Sequence, residues 1–195
     1  MLGSILGSRT KVKILRLLLR DAKREFSVQD IAESLGLSLG SVHPAVQQLL
    51  DTRIVLARRV GRSRGLRINA GHPLFRASAT LFDAEVKGLV AVATEFAEAL
   101  PRRGVEAVVL FGSVARERPS VRSDVDVLVV AGAPSVEDAA RRAAASLLER
   151  HDVNLSPLVL SKEEVAARFR DFDPLILTIA EEGKLLRGKA RWLAR

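Results

Sequence analysis

The feature that most constrains the fold is a pair of short apolar runs joined through a glycine-led segment. Val108-Val109-Leu110-Phe111 runs into Gly112-Ser113-Val114-Ala115-Arg116, and after Ser123 comes Asp124-Val125-Asp126-Val127-Leu128-Val129-Val130. Runs this short and rich in β-branched residues predict two strands with a short helix between them. Residues two apart on a strand share a face, so Asp124 and Asp126 converge while Val125, Val127 and Val129 face the opposite side. Gly112, with no Cβ, lets a ligand come close to the backbone. Ser113 offers a hydroxyl where a helix opens, and the unpaired N–H groups there favour an anion. Arg116 returns to about the same helix face three residues later.

Each half has a plainer reading alone. Asp at a strand entrance is often a turn or cap residue, and Gly-Ser before a helix is often only a cap. Together, at this spacing, they answer the demands of a metal-bound nucleoside triphosphate. Two hard carboxylate ligands suit Mg²⁺ (or Mn²⁺), which completes its shell with water and phosphate oxygens, and Arg116 is placed to steady phosphates.

The pattern Gly112-Ser113, short helix, Ser123-Asp124-x-Asp126 resembles the signature of polymerase-β-type nucleotidyltransferases, in particular the minimal single-domain branch. The resemblance spans about residues 104 to 188. It implies Asp124 and Asp126 as catalytic metal ligands, and Gly112, Ser113, Arg116 and Ser123 as nucleotide-binding residues. The implied reaction transfers a nucleoside monophosphate to a hydroxyl of a protein or small molecule, commonly with two metals. Active relatives usually carry a third carboxylate on a neighbouring strand. Here the candidate strand, Val153 to Leu160, offers Asn154 and Ser156 at alternate positions, and Asp152 would serve only if the register shifted.

Charge divides the chain. Residues 1–70 hold thirteen Lys and Arg against five Asp and Glu, whereas the remaining 125 hold eighteen of each sign. All the excess positive charge lies in the N-terminal segment, which points to a polyanionic partner. Val12, Leu15, Leu18 and Leu19 predict an amphipathic first helix with Lys11, Lys13 and Arg16 outside. Ser27 with Asp30 predicts a capped helix ending at Gly36, and Val42, Val46, Leu49 and Leu50 predict a third. Ile54 to Val60, a turn over Gly61-Arg62-Ser63-Arg64-Gly65, and Leu66 to Asn69 predict a hairpin.

This order is similar to the winged helix-turn-helix domains of bacterial and archaeal transcription regulators, over about residues 8 to 70. The resemblance implies double-stranded DNA as partner, with Ser38, Ser41, His43, Gln47 and Gln48 contacting bases or phosphates from the third helix. Arg58, Arg59, Arg62 and Arg64 would follow the backbone as a wing. Pro44 is harmless if that helix starts near Ser41, and would kink one capped at Ser38.

The expected fold class is therefore α/β (α+β): a winged helix-turn-helix over 1–70, a connecting helix within 71–103, and a nucleotidyltransferase-like domain with a small mixed sheet over 104–195. The connecting pattern after Pro73, through Leu74, Leu81, Leu89, Val92, Phe96 and Leu100, reads equally as an internal connector or as a homodimer seam. The chain has no cysteine, which excludes disulfides and thiol catalysis. It has no tyrosine and few aromatics, which argues against a base-stacking surface for single strands. His43, His72 and His151 lack metal-ligand spacing. No apolar run reaches membrane-span length and no signal-peptide core is present, so a cytoplasmic location without a membrane is expected. An alternative reading is a transcription regulator whose transferase fold is a degenerate nucleotide sensor or dimerisation scaffold, including an antitoxin acting on a partner toxin.

Overall fold

The computed structural model describes residues 6–60, 63–117 and 124–192. The chain divides into two compact units, Met1–Glu85 and Val86–Arg195. The division falls inside the long helix that connects them in sequence.

In the first unit, helix α1 (Arg9–Arg20) is followed by α2 (Val28–Leu35), α3 (Leu39–Asp51) and an antiparallel hairpin of β1 (Val55–Val60) and β2 (Ser63–Ile68). Local chemistry sets the helix ends. At the start of α2 the Ser27 hydroxyl accepts the Asp30 N–H at 3.0 Å and the Asp30 carboxylate accepts the Ser27 N–H at 2.7 Å, the reciprocal cap anticipated from sequence. Gly36 ends the helix in the left-handed region, φ 60°, where a side chain would be strained. Ile14, Leu18, Ile31, Val42, Val46, Leu66 and Ile68 form the core, and a bridge between Phe26 and Leu66 ties the segment before α2 to the hairpin.

Two expectations for this unit are corrected, and one left open, the start of α3, is decided. First, α1 buries two sides: Ile14, Leu17 and Leu18 face the core, while Val12, Leu15 and Leu19 pack with Phe82. Arg16 is therefore not outside. Its guanidinium pairs with Glu85 and lies over the Phe82 ring at 5.1 Å, because a long stem can pack on apolar surface while its head meets a carboxylate. Second, α3 starts right after an N-cap at Ser38, so Pro44 lies inside it. Pro44 and Gly40, whose carbonyl would otherwise receive the missing N–H, are both exposed, so water can satisfy that carbonyl. Third, β2 begins at Ser63 and includes Arg64 and Gly65, leaving only Gly61 and Arg62 between the paired strands. Those two residues lie outside the described set.

The second unit is a four-stranded mixed sheet with helices on both faces. It comprises the later part of α4 (Phe75–Ala99), β3 (Val105–Phe111), α5 (Gly112–Ala115), β4 (Val125–Ala131), α6 (Pro134–His151), β5 (Leu155–Leu160), α7 (Lys162–Arg170), α8 (Pro174–Glu182) and β6 (Lys184–Gly188). The strand order is β5-β4-β3-β6, with β4 and β5 parallel and the other neighbours antiparallel. Alternation along the strands splits the core. Val108, Leu110, Val125, Val127 and Val129 join Phe96, Val136 and Leu147 on one face. Ala107, Val109, Leu128, Val130 and Leu160 join Val165, Ile176 and Ile179 on the other. Strand β6 has no clear sequence signature, being short and carrying a charge at two of its five residues. It is an edge strand on β3, held where Gly188, φ +87°, passes so close to the backbone of Glu106 that a Cβ would collide with it. The Arg187 guanidinium donates to the carbonyls of Leu100 and Pro101 at 2.9 Å each, anchoring the chain just after α4.

Candidate functional site

The candidate site is assembled by the β3–α5 junction and the start of β4. Phe111, last residue of β3, is the Cα partner of Asp126, so Gly112 emerges beside that carboxylate. Gly112 has φ +72°, and a Cβ there would lie 3.1 Å from Asp126 Cγ and closer still to Oδ2. Glycine is required twice over, by the left-handed backbone and by the close approach. Ser113 is the second residue of α5, two places past the N-cap position, which Phe111 occupies. Arg116 follows as the C-cap residue, its N–H bonded to the Gly112 carbonyl at 3.2 Å.

Asp126 is half-buried on β4 and Asp124 is exposed just before it. Burial pushes the Asp126 carboxyl above the usual carboxylate range, the charge of Asp124 pushes it the same way, and Arg116 partly offsets both. A half-buried Asp with a second acid close by, beside a backbone that can approach a phosphate, is suited to receive a divalent cation, whose charge would favour the ionised form of Asp126. The donor chemistry, two hard oxygens, fits Mg²⁺ or Mn²⁺. Ser123 lies outside the described residues.

The register decides the question of a third acid on β5. Asp126 pairs with Ser156 and Val125 with Leu155. The place beside Asp126 is therefore taken by a hydroxyl. Asp152 lies in the left-handed C-cap of α6, φ 52°, before the strand begins, and Asn154 also precedes β5, its carbonyl accepting the Val125 N–H at 2.9 Å. Among the described residues no group of three or more His, Cys, Asp or Glu is arranged to hold a metal.

Two charged residues that sequence reasoning did not single out adjoin this region. Glu182, last residue of α8, accepts a 2.8 Å bond from Arg116 Nη1, and Lys184, first of β6, donates to Glu117 at 2.8 Å. Partners 66 and 67 positions apart leave no local signal in a sequence.

In the first unit the candidate contacts separate into two groups. His43, Gln47 and Gln48 share the exposed stripe of α3 with Gly40, Pro44 and Asp51, opposite buried Val42, Ala45, Val46 and Leu49. Gln47 donates to Asp51 at 2.9 Å. Ser38 and Ser41 are instead engaged with each other at the helix start: the Ser38 hydroxyl accepts the Ser41 N–H at 3.3 Å, and the Ser41 hydroxyl donates to the Ser38 carbonyl at 2.8 Å. On the hairpin Arg58, Arg59 and Arg64 are exposed, and Arg59 and Arg64 are direct cross-strand partners. Arg67, which sequence reasoning passes over because it sits in an apolar run, is exposed on the same hairpin opposite Leu56. Arg62 lies outside the described residues.

Residues 93–186 match the family described as Nucleotidyltransferase domain. No curated protein matches the chain. Similar solved structures include a homodimeric winged helix-turn-helix DNA-binding domain from Mycobacterium bovis, at 31% identity over 43% of this chain and 73% of that chain, TM-score 0.35. Another is MepR, a transcription regulator of a Staphylococcus aureus multidrug efflux pump, at 18% identity over 46% and 68%, TM-score 0.39. A third is a toxin-antitoxin structure with AMP-PNP, at 18% identity over 54% and 75%, TM-score 0.36. Within this chain a unit of three helices and a hairpin in winged helix-turn-helix order precedes the residues that match the nucleotidyltransferase family.

Proposed function

We propose that the second unit binds a nucleoside triphosphate with Mg²⁺ and transfers its nucleoside monophosphate to a hydroxyl of a protein or small molecule, while the first unit binds double-stranded DNA. The observation that carries the nucleotide reading is the contact of Gly112 with Asp126. It sets a backbone segment able to approach a phosphate against a half-buried carboxylate, with Asp124 two residues before it. Asp124 and Asp126 would hold the cation, which supplies charge neutralisation at the phosphates. The backbone from Gly112 and the Ser113 hydroxyl line the approach, with Ser123 as a further candidate, and Arg116 offers a forked donor to phosphate oxygens. In the reaction the acceptor oxygen forms a bond to the α-phosphorus, the bond from that phosphorus to the bridging oxygen of the β-phosphate breaks, and pyrophosphate leaves. The acceptor proton passes to solvent.

Calorimetry with each nucleoside triphosphate, with and without Mg²⁺, tests the binding step. Metal-dependent binding that disappears in the Asp124→Asn, Asp126→Asn double variant supports the site, and no binding to any nucleotide by the wild type defeats it. Labelled nucleotide incubated with cell extract tests transfer, which must vanish in Asp124→Ala.

One observation favours a second reading. Ser156 stands in register beside Asp126, where the family resemblance implies an acid that helps deprotonate the acceptor. A regulator that senses nucleotide without transferring it would bind Mg²⁺-nucleotide normally and label nothing in the extract.

The DNA reading rests on the exposed polar stripe of α3 together with Arg58, Arg59, Arg64 and Arg67 on the hairpin. Ser38 and Ser41 serve it chiefly by starting the helix. Binding to random-sequence duplex that weakens steeply with salt supports it, and salt-independent or absent binding refutes it.

A further inference from the structure

Arg116 and Glu182 form an ion pair that neither end needs for local structure. Glu182 is the last residue of α8 and follows Glu181, so two acids sit at the helix end where the backbone dipole favours cations. The Arg116 side chain is 38% exposed and that of Glu182 42%, so the pair is not a device for burying charge. A second bridge, Lys184 to Glu117, joins the same two stretches of chain, and Glu117 adopts a left-handed backbone, φ 58°. The residues that follow the Gly112-Ser113 helix are thus fastened to the corner between α8 and β6. The bond to Glu182 uses Arg116 Nη1, and the guanidinium fork carries its other donors away from that contact. The Arg116 N–H is bonded to the Gly112 carbonyl at 3.2 Å, and Gly112 lies against Asp126, so this side chain starts one short helical turn from the acid pair.

We propose that Glu182 is a positioning residue for Arg116. It holds the guanidinium by one edge, so that the remaining edge meets the phosphates of a nucleotide on the Asp124–Asp126 site without first being ordered. This rests on the nucleotide reading given above. A free arginine side chain loses rotamer entropy when it grips a ligand, and a side chain already restrained loses less. The competing arrangement, in which Glu182 neutralises Arg116 and must be displaced by phosphate, predicts the opposite sign.

The experiment is a double-mutant cycle read by calorimetry, with Mg²⁺ and inorganic tripolyphosphate as the probe and Mg²⁺-ATP beside it. Glu182→Ala is expected to weaken binding about three- to fivefold, the upper end of what an exposed ion pair contributes. Arg116→Ala weakens it more, and adding Glu182→Ala to Arg116→Ala changes nothing further. Glu182→Gln, which keeps an oxygen acceptor for Nη1, recovers part of the loss. Lys184→Ala, which breaks only the neighbouring bridge, has a smaller effect than Glu182→Ala. Unchanged or tighter binding in Glu182→Ala overturns the proposal. So does a loss that persists undiminished in the Arg116→Ala background, because Glu182 would then be acting through general loosening of the corner. Failure of the wild type to bind either probe defeats the nucleotide reading itself and is distinguished from these outcomes at the first titration.

Discussion

The hairpin of the first unit and the β3–α5–β4 junction of the second are both short pieces of sheet with charged residues at one end, and they use charge in opposite ways. On the hairpin Arg58, Arg59, Arg64 and Arg67 are exposed, have no ion pair with another described residue, and include a directly opposed like-charge pair, Arg59 and Arg64. Like charges facing across strands destabilise a hairpin mildly, a cost that a polyanion relieves. At the junction the charges are few and constrained. Asp126 is half-buried against Gly112, and Arg116 is bonded to Glu182. A solvated array of arginines gives binding that is graded, additive and sensitive to salt, whereas a constrained pair of acids depends on one close backbone contact.

The contrast can be broken at several points. The largest effect is expected at Gly112→Val, where a branched side chain meets both the left-handed backbone and Asp126. Mg²⁺-nucleotide binding should fall by at least about a hundredfold, equivalent to roughly 2.7 kcal/mol. Retained affinity in calorimetry would show that the close approach has no role.

At the hairpin the Arg59→Ala, Arg64→Ala double variant should weaken DNA binding by about tenfold near physiological salt. It should also reduce the slope of log K against log salt by nearly two, about 0.9 for each phosphate no longer neutralised. A change in affinity with an unchanged slope would show that these arginines do not neutralise phosphates.

Asp126 gives a prediction with a definite sign. Its carboxyl pKa is raised in the folded protein by burial, then by Asp124, so the protonated form is favoured by folding. Stability is therefore lost as pH rises from the ordinary value of 3.8 through the raised one. Asp126→Asn should melt higher than wild type at pH 7 without added metal, with the difference shrinking as pH falls toward 3.8. Mg²⁺ should raise the melting temperature of wild type and leave that of the variant unchanged. A lower melting temperature for Asp126→Asn at pH 7 would mean that the carboxylate is stabilised by contacts beyond those described.

The smallest effects test what the two units share. Each has a helix begun by a reciprocal cap, Ser27 with Asp30 on α2 and Ser161 with Glu164 on α7. Ser27→Ala and Ser161→Ala should each cost about 1 kcal/mol in chemical denaturation, since the equivalent N–H group loses its hydroxyl partner in each case. Unequal costs would show that one of these helices is held chiefly by packing.

How much of the site is legible in the sequence depends on how far apart its parts lie in the chain. Gly112, Asp124 and Asp126 can be read because a strand's two-residue period and a glycine before a helix are local signals, and the short β3 to β4 span keeps them together. The Ser27–Asp30 cap and the stop at Gly36 are equally local. The assignment of Arg16 to the outside of α1 fails because a helical pattern reports one apolar face, and Phe82 and Glu85 supply a second surface from far along the chain. The hairpin turn reads too long because glycines at 61 and 65 bracket it in sequence, whereas pairing continues through Arg64 and Gly65. Arg67 gives no signal because its neighbours are apolar.

The sequence by itself determined the helices and hairpin of the first unit, the β3–α5–β4 junction, most of their ends, and the residues that carry charge and hydroxyls to the candidate site. Those properties follow from side-chain period, capping and backbone freedom within a few residues. Only the tertiary structure decided that Ser156 lies beside Asp126, that β6 closes the edge of the sheet, and that Glu182 meets Arg116. Strand register and contacts between distant segments are settled by which faces can be buried together, and that is a property of the packed sheet and its helices rather than of any single stretch of chain.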